Sequence, residues 1–168
     1  MVATGWRWRP ATSGGPPAYP CPVNYELYMG EALAEAKAAI ARGERPHAAV
    51  AVVDEAMVAR GHDRVRDSGD PTAHAVVVAL REAARRVGKD RLRDVTMFCT
   101  MEPCPMCVGA LLAADVEALV FAIPNRTDGA AGTILQLAEH PGLRRRVKVV
   151  SGIRRDEVEE LYAAAVAK

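Results

Sequence analysis

The chain has 168 residues, 50% of them hydrophobic and 26% charged, which suffices for one domain with a buried core but not for two. Its 22 Lys and Arg nearly balance 21 Asp and Glu, so no overall basic footprint argues for a nucleic-acid partner. No stretch reaches the length of uninterrupted apolar sequence that a transmembrane helix needs, and the first residues lack the apolar segment of a secretory signal. A cytoplasmic location is expected. In a reducing compartment, the 4 cysteines suggest metal ligands or core thiols before disulfides.

Residues 1–22 are rich in Pro, Gly, Ser and Thr, with Trp6 and Trp8 alternating with Arg7 and Arg9. They are expected to form a flexible arm, and the folded domain is expected over residues 23–168. Asn24 suits the N-cap of a first helix that Gly43 ends. Leu27, Tyr28, Leu33, Ala34, Ala38 and Ile40 recur there at helical spacing. "HAAVAVVD" (47–54) reads as a buried strand, and "AMVARGHD" (56–63) as its hairpin partner after an Asp54-Glu55 turn. A second helix is expected over 71–88, with Pro71 near its start, Gly88 closing it, and Val77, Leu80, Ala84 and Val87 along one side.

"DVTMFCT" (94–100) is an apolar strand, and "PCPMCVGALLAADV" (103–116) starts a third helix with Pro105 tolerated in its first turn. Two short strands, "ALVFAI" (118–123) and "VKVVSG" (147–152), flank a Gly-rich stretch over 128–142 in which His140 reads as a helix-end residue. Residues 154–167 form a closing amphipathic helix. Helices alternate with strands, so the fold class is α/β, with one mixed sheet and helices on both faces.

Cys104 and Cys107 lie three apart at a helix start, hence on one face. Helix N-termini favour thiolate, the form that binds zinc. His74 is expected in the first turn of another helix. One imidazole and two thiolates give Zn²⁺ three protein ligands and leave a fourth tetrahedral position open, as in catalytic sites. Alone, a CxxC also fits a redox pair and a single His also fits a cap; together they favour zinc.

"DPTAH" (70–74), "MEPCPMCVGAL" (101–111), "DGAAGTILQL" (128–137) and "HPGLRRRVKVVSGIRRDE" (140–157) resemble the cytidine and deoxycytidylate deaminase superfamily, whose signature is H-x-E…P-C-x-x-C. The likeness is closest to its bacterial tRNA adenosine deaminase and guanine deaminase branch, and runs from about Asn24 to the C-terminus. The resemblance implies a three-layer α/β/α sandwich around a five-stranded sheet. It implies one Zn²⁺ per chain on His74, Cys104 and Cys107, with water as the fourth ligand. It further implies a purine-like base, nucleoside or related heterocycle as substrate, and a homodimer.

The sequence departs from that pattern in three places. The proton-shuttling Glu is replaced by Val76, which can neither accept nor donate a proton. Asp63 stands where the family has a base-contacting Asn, and could serve as a substitute shuttle, a substrate contact or a simple backbone-binding Asp. His47 and Ala48 differ from the family's usual apolar and Gly residues, and with Pro103 they are expected at the substrate pocket.

Glu102 is expected to bind backbone, Cys99 to be a core thiol and Cys21 to be exposed in the arm. Six cations between residues 144 and 155 fit a solvated face or a tRNA-phosphate contact. The expected function is therefore a zinc protein built for hydrolytic deamination but weak or inactive as written. Its rivals are a non-catalytic subunit of an active deaminase, and a ligand- or RNA-binding protein.

Overall fold

A computed structural model describes residues 24–88 and 92–166; the arm expected over 1–22, with Cys21 and both tryptophans, lies outside these. Helix α1 spans Tyr25–Ala41, capped by the Asn24 side chain, which accepts a 3.0 Å hydrogen bond from the Leu27 N–H. Its core face is Met29, Ala32, Ala36 and Ala39 with Tyr28 and Leu33, so the expected stripe is rotated: Leu27 is 53% exposed and Ala34 is also outside. Small side chains on that face let the helix lie close on the sheet, with Tyr28 against Phe98.

Strands β1 (Ala48–Val53) and β2 (Ala56–His62) form the expected antiparallel hairpin. Asp54 and Glu55 turn it with positive φ at both positions, as a two-residue hairpin loop requires. A single helical turn, α2 (Val65–Ser68), follows; it is too short to leave a periodic signal in the sequence.

Helix α3 (Ala75–Val87) begins later than expected, because His74 is its extended N-cap rather than a first-turn residue. Its buried face is Val76, Ala79, Leu80 and Ala83, an i, i+3, i+4, i+7 stripe. Val77, Ala84 and Val87 only flank it. Val76, the departed position, therefore lies on the inward face. Gly61 lets this helix seat: a Cβ there would stand 2.8 Å from the Ala79 nitrogen and 2.9 Å from the Ala75 oxygen.

Strand β3 (Thr96–Met101), helix α4 (Pro105–Ala113), strand β4 (Ala118–Ile123), strand β5 (Lys148–Ser151) and helix α5 (Arg155–Val166) complete the chain. The five-stranded sheet has the order β2-β1-β3-β4-β5, antiparallel at β2-β1 and β1-β3 and parallel at β3-β4 and β4-β5.

Alternation along the strands builds two cores. Ala49, Ala51, Met97, Cys99, Leu119 and Phe121 face α3 and α4. Val50, Val52, Phe98, Val120 and Ala122 face α1 and α5. The result is the expected three-layer sandwich. Cys99 is a core thiol, and burial pushes its pKa well above the usual thiol range. No helix among the described residues is long and apolar enough to cross a membrane.

Candidate metal centre and its pocket

Two helices begin where the carboxyl ends of the central strands open, the usual site of ligand binding in sheets of this kind. His74 stands at the N-cap position of α3 and Cys104 at that of α4, yet neither side chain makes a capping hydrogen bond. They turn toward each other instead. The His74 Nδ1 lies 3.6 Å from the Cys104 Sγ and 3.7 Å from the Cys107 Sγ, and the three ligand atoms fall within 4.8 Å of one another.

Tetrahedral Zn²⁺ with Zn–S near 2.3 Å and Zn–N near 2.0–2.1 Å requires N···S separations of ~3.6 Å. The donor set and its spacing therefore fit one Zn²⁺ per chain. Cys104 is pulled down to about 5, chiefly by the hydrogen bond from Cys107. Cys107 is pushed up by donating that bond and by burial. A cation held by both sulfurs displaces the proton that Cys107 retains in the metal-free triad.

A cavity of about 640 Å³ opens beside the ligands, and every residue named from the sequence lines it: His47, Ala48, Asp63, His74, Val76, Pro103, Cys104 and Cys107. Val76 is 5% exposed and presents only methyl groups.

Asp63 follows β2 directly and is fully buried. Its Oδ1 accepts from the Ala75 N–H at 3.2 Å, and its Oδ2 from the Arg45 Nε at 2.8 Å. It thus supplies the cap for α3 that His74 cannot give. Arg45 was not anticipated. The signal lay in the hairpin register: Ala48 pairs with His62, so Asp63 follows opposite His47 and comes within reach of Arg45.

His47 stacks on Tyr162 of α5 with ring centroids 5.7 Å apart. Burial is the main cause holding its pKa below the ordinary histidine value, with Asp63 opposing. Ala48 donates its N–H to the Thr100 Oγ1 at 3.1 Å. The Pro103 carbonyl accepts from the Ala130 N–H at 2.9 Å.

Glu102 binds backbone, as expected. Its Oε1 accepts from the N–H groups of Ala131 (2.9 Å) and Thr133 (3.0 Å), and its Oε2 from that of Asn125 (3.1 Å). It pins the loop after β4 over the cavity, and a Cβ on Gly129 would collide with its carboxylate. Glu102→Ala is expected to lower unfolding free energy by about 3–5 kcal/mol in urea titration, because two buried amides and a third, part-buried one lose their acceptor. Glu102→Gln, keeping one carbonyl oxygen, should lose less.

The cation run is largely committed to the protein. Arg145 donates to the Ala113 carbonyl at 2.9 Å, closing α4, while Lys148 pairs with Glu117, Arg154 with Glu157 and Arg155 with Glu159. His140 sits in a turn rather than at a helix end, its Nδ1 accepting from the Gly142 N–H.

The profile of the cytidine and deoxycytidylate deaminase zinc-binding region matches residues 22–123. The tRNA-specific adenosine deaminase of Bacillus subtilis is 37% identical over 139 residues, covering 83% of this chain and 86% of that protein. That of Aquifex aeolicus is 34% identical over 123 residues, covering 73% and 82%. A solved tRNA:A34 deaminase superposes with a TM-score of 0.77 at 32% identity, covering 80% of this chain and 98% of the other. A guanine deaminase from Nitrosomonas europaea gives 0.71 at 25% identity, covering 85% of each. The chain belongs to the zinc-binding cytidine and deoxycytidylate deaminase family.

Proposed function

We propose that this chain keeps the metal centre and the heterocycle pocket of a purine-type deaminase while lacking the group that moves protons, so that it deaminates weakly or not at all. Hydrolytic deamination adds water to a ring carbon and expels ammonia, so a proton must travel from the water to the ring and the leaving nitrogen. A bound Zn²⁺ supplies Lewis-acid activation of the water.

One observation carries the reading. Each carboxylate lining the cavity is already engaged by the protein: Asp63 by Arg45 and Ala75, Glu102 by three amides, and Asp128 by Asn125. Asp63 therefore positions α3 and its His74 rather than carrying protons. Val76 dries the space where a shuttle would stand. His47, Ala48 and Pro103 are read as walls for the substrate ring.

The test uses the zinc-loaded chain against adenine, guanine, cytosine, their nucleosides and a tRNA anticodon stem-loop. A heterocycle-dependent rise in Tm without ammonia supports the reading. Turnover by the unmodified chain that is lost on His74→Ala overturns it.

A homodimer working in the cytoplasm is the expected form. Met106, next to ligand Cys107, and Ile134 and Leu135 are exposed apolar side chains suited to such a contact. The same surface favours a second reading, a non-catalytic subunit of an active tRNA deaminase; co-elution with a paralogue in place of self-association would select it.

A further inference from the structure

We propose that Arg45, held in place by buried Asp63, is a specificity-determining residue that selects heterocycles bearing an oxyanion, a phosphate or a carboxylate, over uncharged ones. The inference rests on the pocket reading above and adds what the pocket discriminates.

Three observations converge. First, the Arg45 side chain remains 48% exposed at the cavity while its partner carboxylate is 0% exposed, so the guanidinium is anchored from beneath and presented outward. Second, only its Nε is spent, on Asp63 at 2.8 Å; both Nη groups lack a hydrogen-bond acceptor among the described residues. A guanidinium offers five donors in a planar fork that matches an oxyanion bidentately. Third, Arg126 lines the same cavity from the loop after β4, exposed and with no ion pair or hydrogen bond to the described residues.

Asp128 is the opposing charge on that loop, and its carboxylate is turned to the Asn125 amide. The donors at this mouth therefore exceed the acceptors that the protein supplies for them. Ordering Arg45 in advance removes part of the side-chain entropy that binding otherwise costs. The fixed orientation, more than the net charge, is what gives selectivity, since Asp63 neutralises the guanidinium formally.

The experiment is calorimetric titration of the zinc-loaded full chain with matched pairs: guanosine against guanosine 5′-monophosphate, and purine against purine-6-carboxylate. Inorganic phosphate alone is the third probe. At least one anionic member is expected to bind roughly ten- to hundredfold tighter than its uncharged counterpart, the range of one bidentate charge-assisted contact. Which pair shows the preference distinguishes phosphate from carboxylate.

Arg45→Ala alone strands a buried carboxylate, so the informative variant is Arg45→Ala with Asp63→Asn, which retains an oxygen for the Ala75 N–H. It should keep its zinc and lose the preference, and Arg126→Ala should weaken it.

Equal binding of charged and uncharged members overturns the proposal and leaves the heterocycle pocket standing. So does a preference that survives in the double variant, or phosphate alone binding as tightly as the nucleotide. Absence of binding by every heterocycle to zinc-loaded protein overturns both the proposal and the pocket reading.

Discussion

Removing the metal with a chelator is expected to lower the Tm by on the order of 10 °C. The ligands join the start of α3 to the start of α4, two helices packed on one face of the sheet. Without the ion, the triad is left with the His74 Nδ1 approaches to the two sulfurs across that gap, at 3.6 and 3.7 Å. A ligand present at about a thousandfold over its Kd stabilises by ~4 kcal/mol, and each kcal/mol shifts a domain of this size by roughly 2–4 °C. The loss stays partial because the core on the α1 and α5 side does not touch the metal ligands.

Acid should act like the chelator. The Cys107 hydrogen bond pulls the Cys104 pKa down to about 5 in the metal-free triad, so that contribution is full above the ordinary thiol pKa and lost progressively as pH falls from there through about 5. Protons also compete with the cation for the thiolates and the imidazole. Calorimetry with and without chelator checks the first effect, and metal release on acidification checks the second. In Cys107→Ser the Tm should no longer respond to chelator. A parent protein whose Tm ignores the chelator would mean that the triad holds no metal in solution.

The metal ligands were legible because their chemistry fixes both residue type and spacing: His74, then a CxxC whose cysteines must share a helix start. The strands were legible for a similar reason, since uninterrupted apolar runs such as "ALVFAI" fit a sheet covered on both faces. Helix faces were less so. In α3 nearly every early residue is apolar, so Val76 and Val77 compete for the core on sequence alone, and the packing of the helix on the sheet buries Val76. Asp63 showed its position but not its partner. The ion pair with Arg45 joins residues that flank the two strands at the open end of the hairpin, so it follows from the strand register and not from any local pattern around either residue. Asn125 and Arg126 lie outside every motif in the sequence, because the place of their loop at the cavity is set by buried Glu102 through tertiary contacts.

Val76→Glu is expected to raise ammonia release by about 10²–10⁴-fold on whichever heterocycle the pocket accepts, the range that general acid–base catalysis contributes. The position lies in the first turn of α3, on the face lining the cavity that the metal ligands share. A carboxylate at a helix N-terminus also gains from the positive end of the dipole. The substitution has a cost, because Val76 belongs to the core cluster on that side of the sheet. Losing its apolar burial should reduce stability by about 1–3 kcal/mol.

Activity and stability should therefore move in opposite directions, a split that a merely better-packed variant would not give. Val76→Gln separates shape from proton transfer. It matches the Glu side chain in size and hydrogen-bonding reach but cannot carry the proton, and it should stay at the parent level with the same loss of stability. If Glu and Gln are equally silent in zinc-loaded, heterocycle-binding protein, replacement at position 76 is not what silences the chain. The Asp63–Arg45 pair then becomes the next barrier, since it sets a fixed ion pair where the family resemblance implies a neutral Asn amide. Asp63→Asn with Arg45→Val in the Val76→Glu background would restore a neutral wall and a proton carrier together.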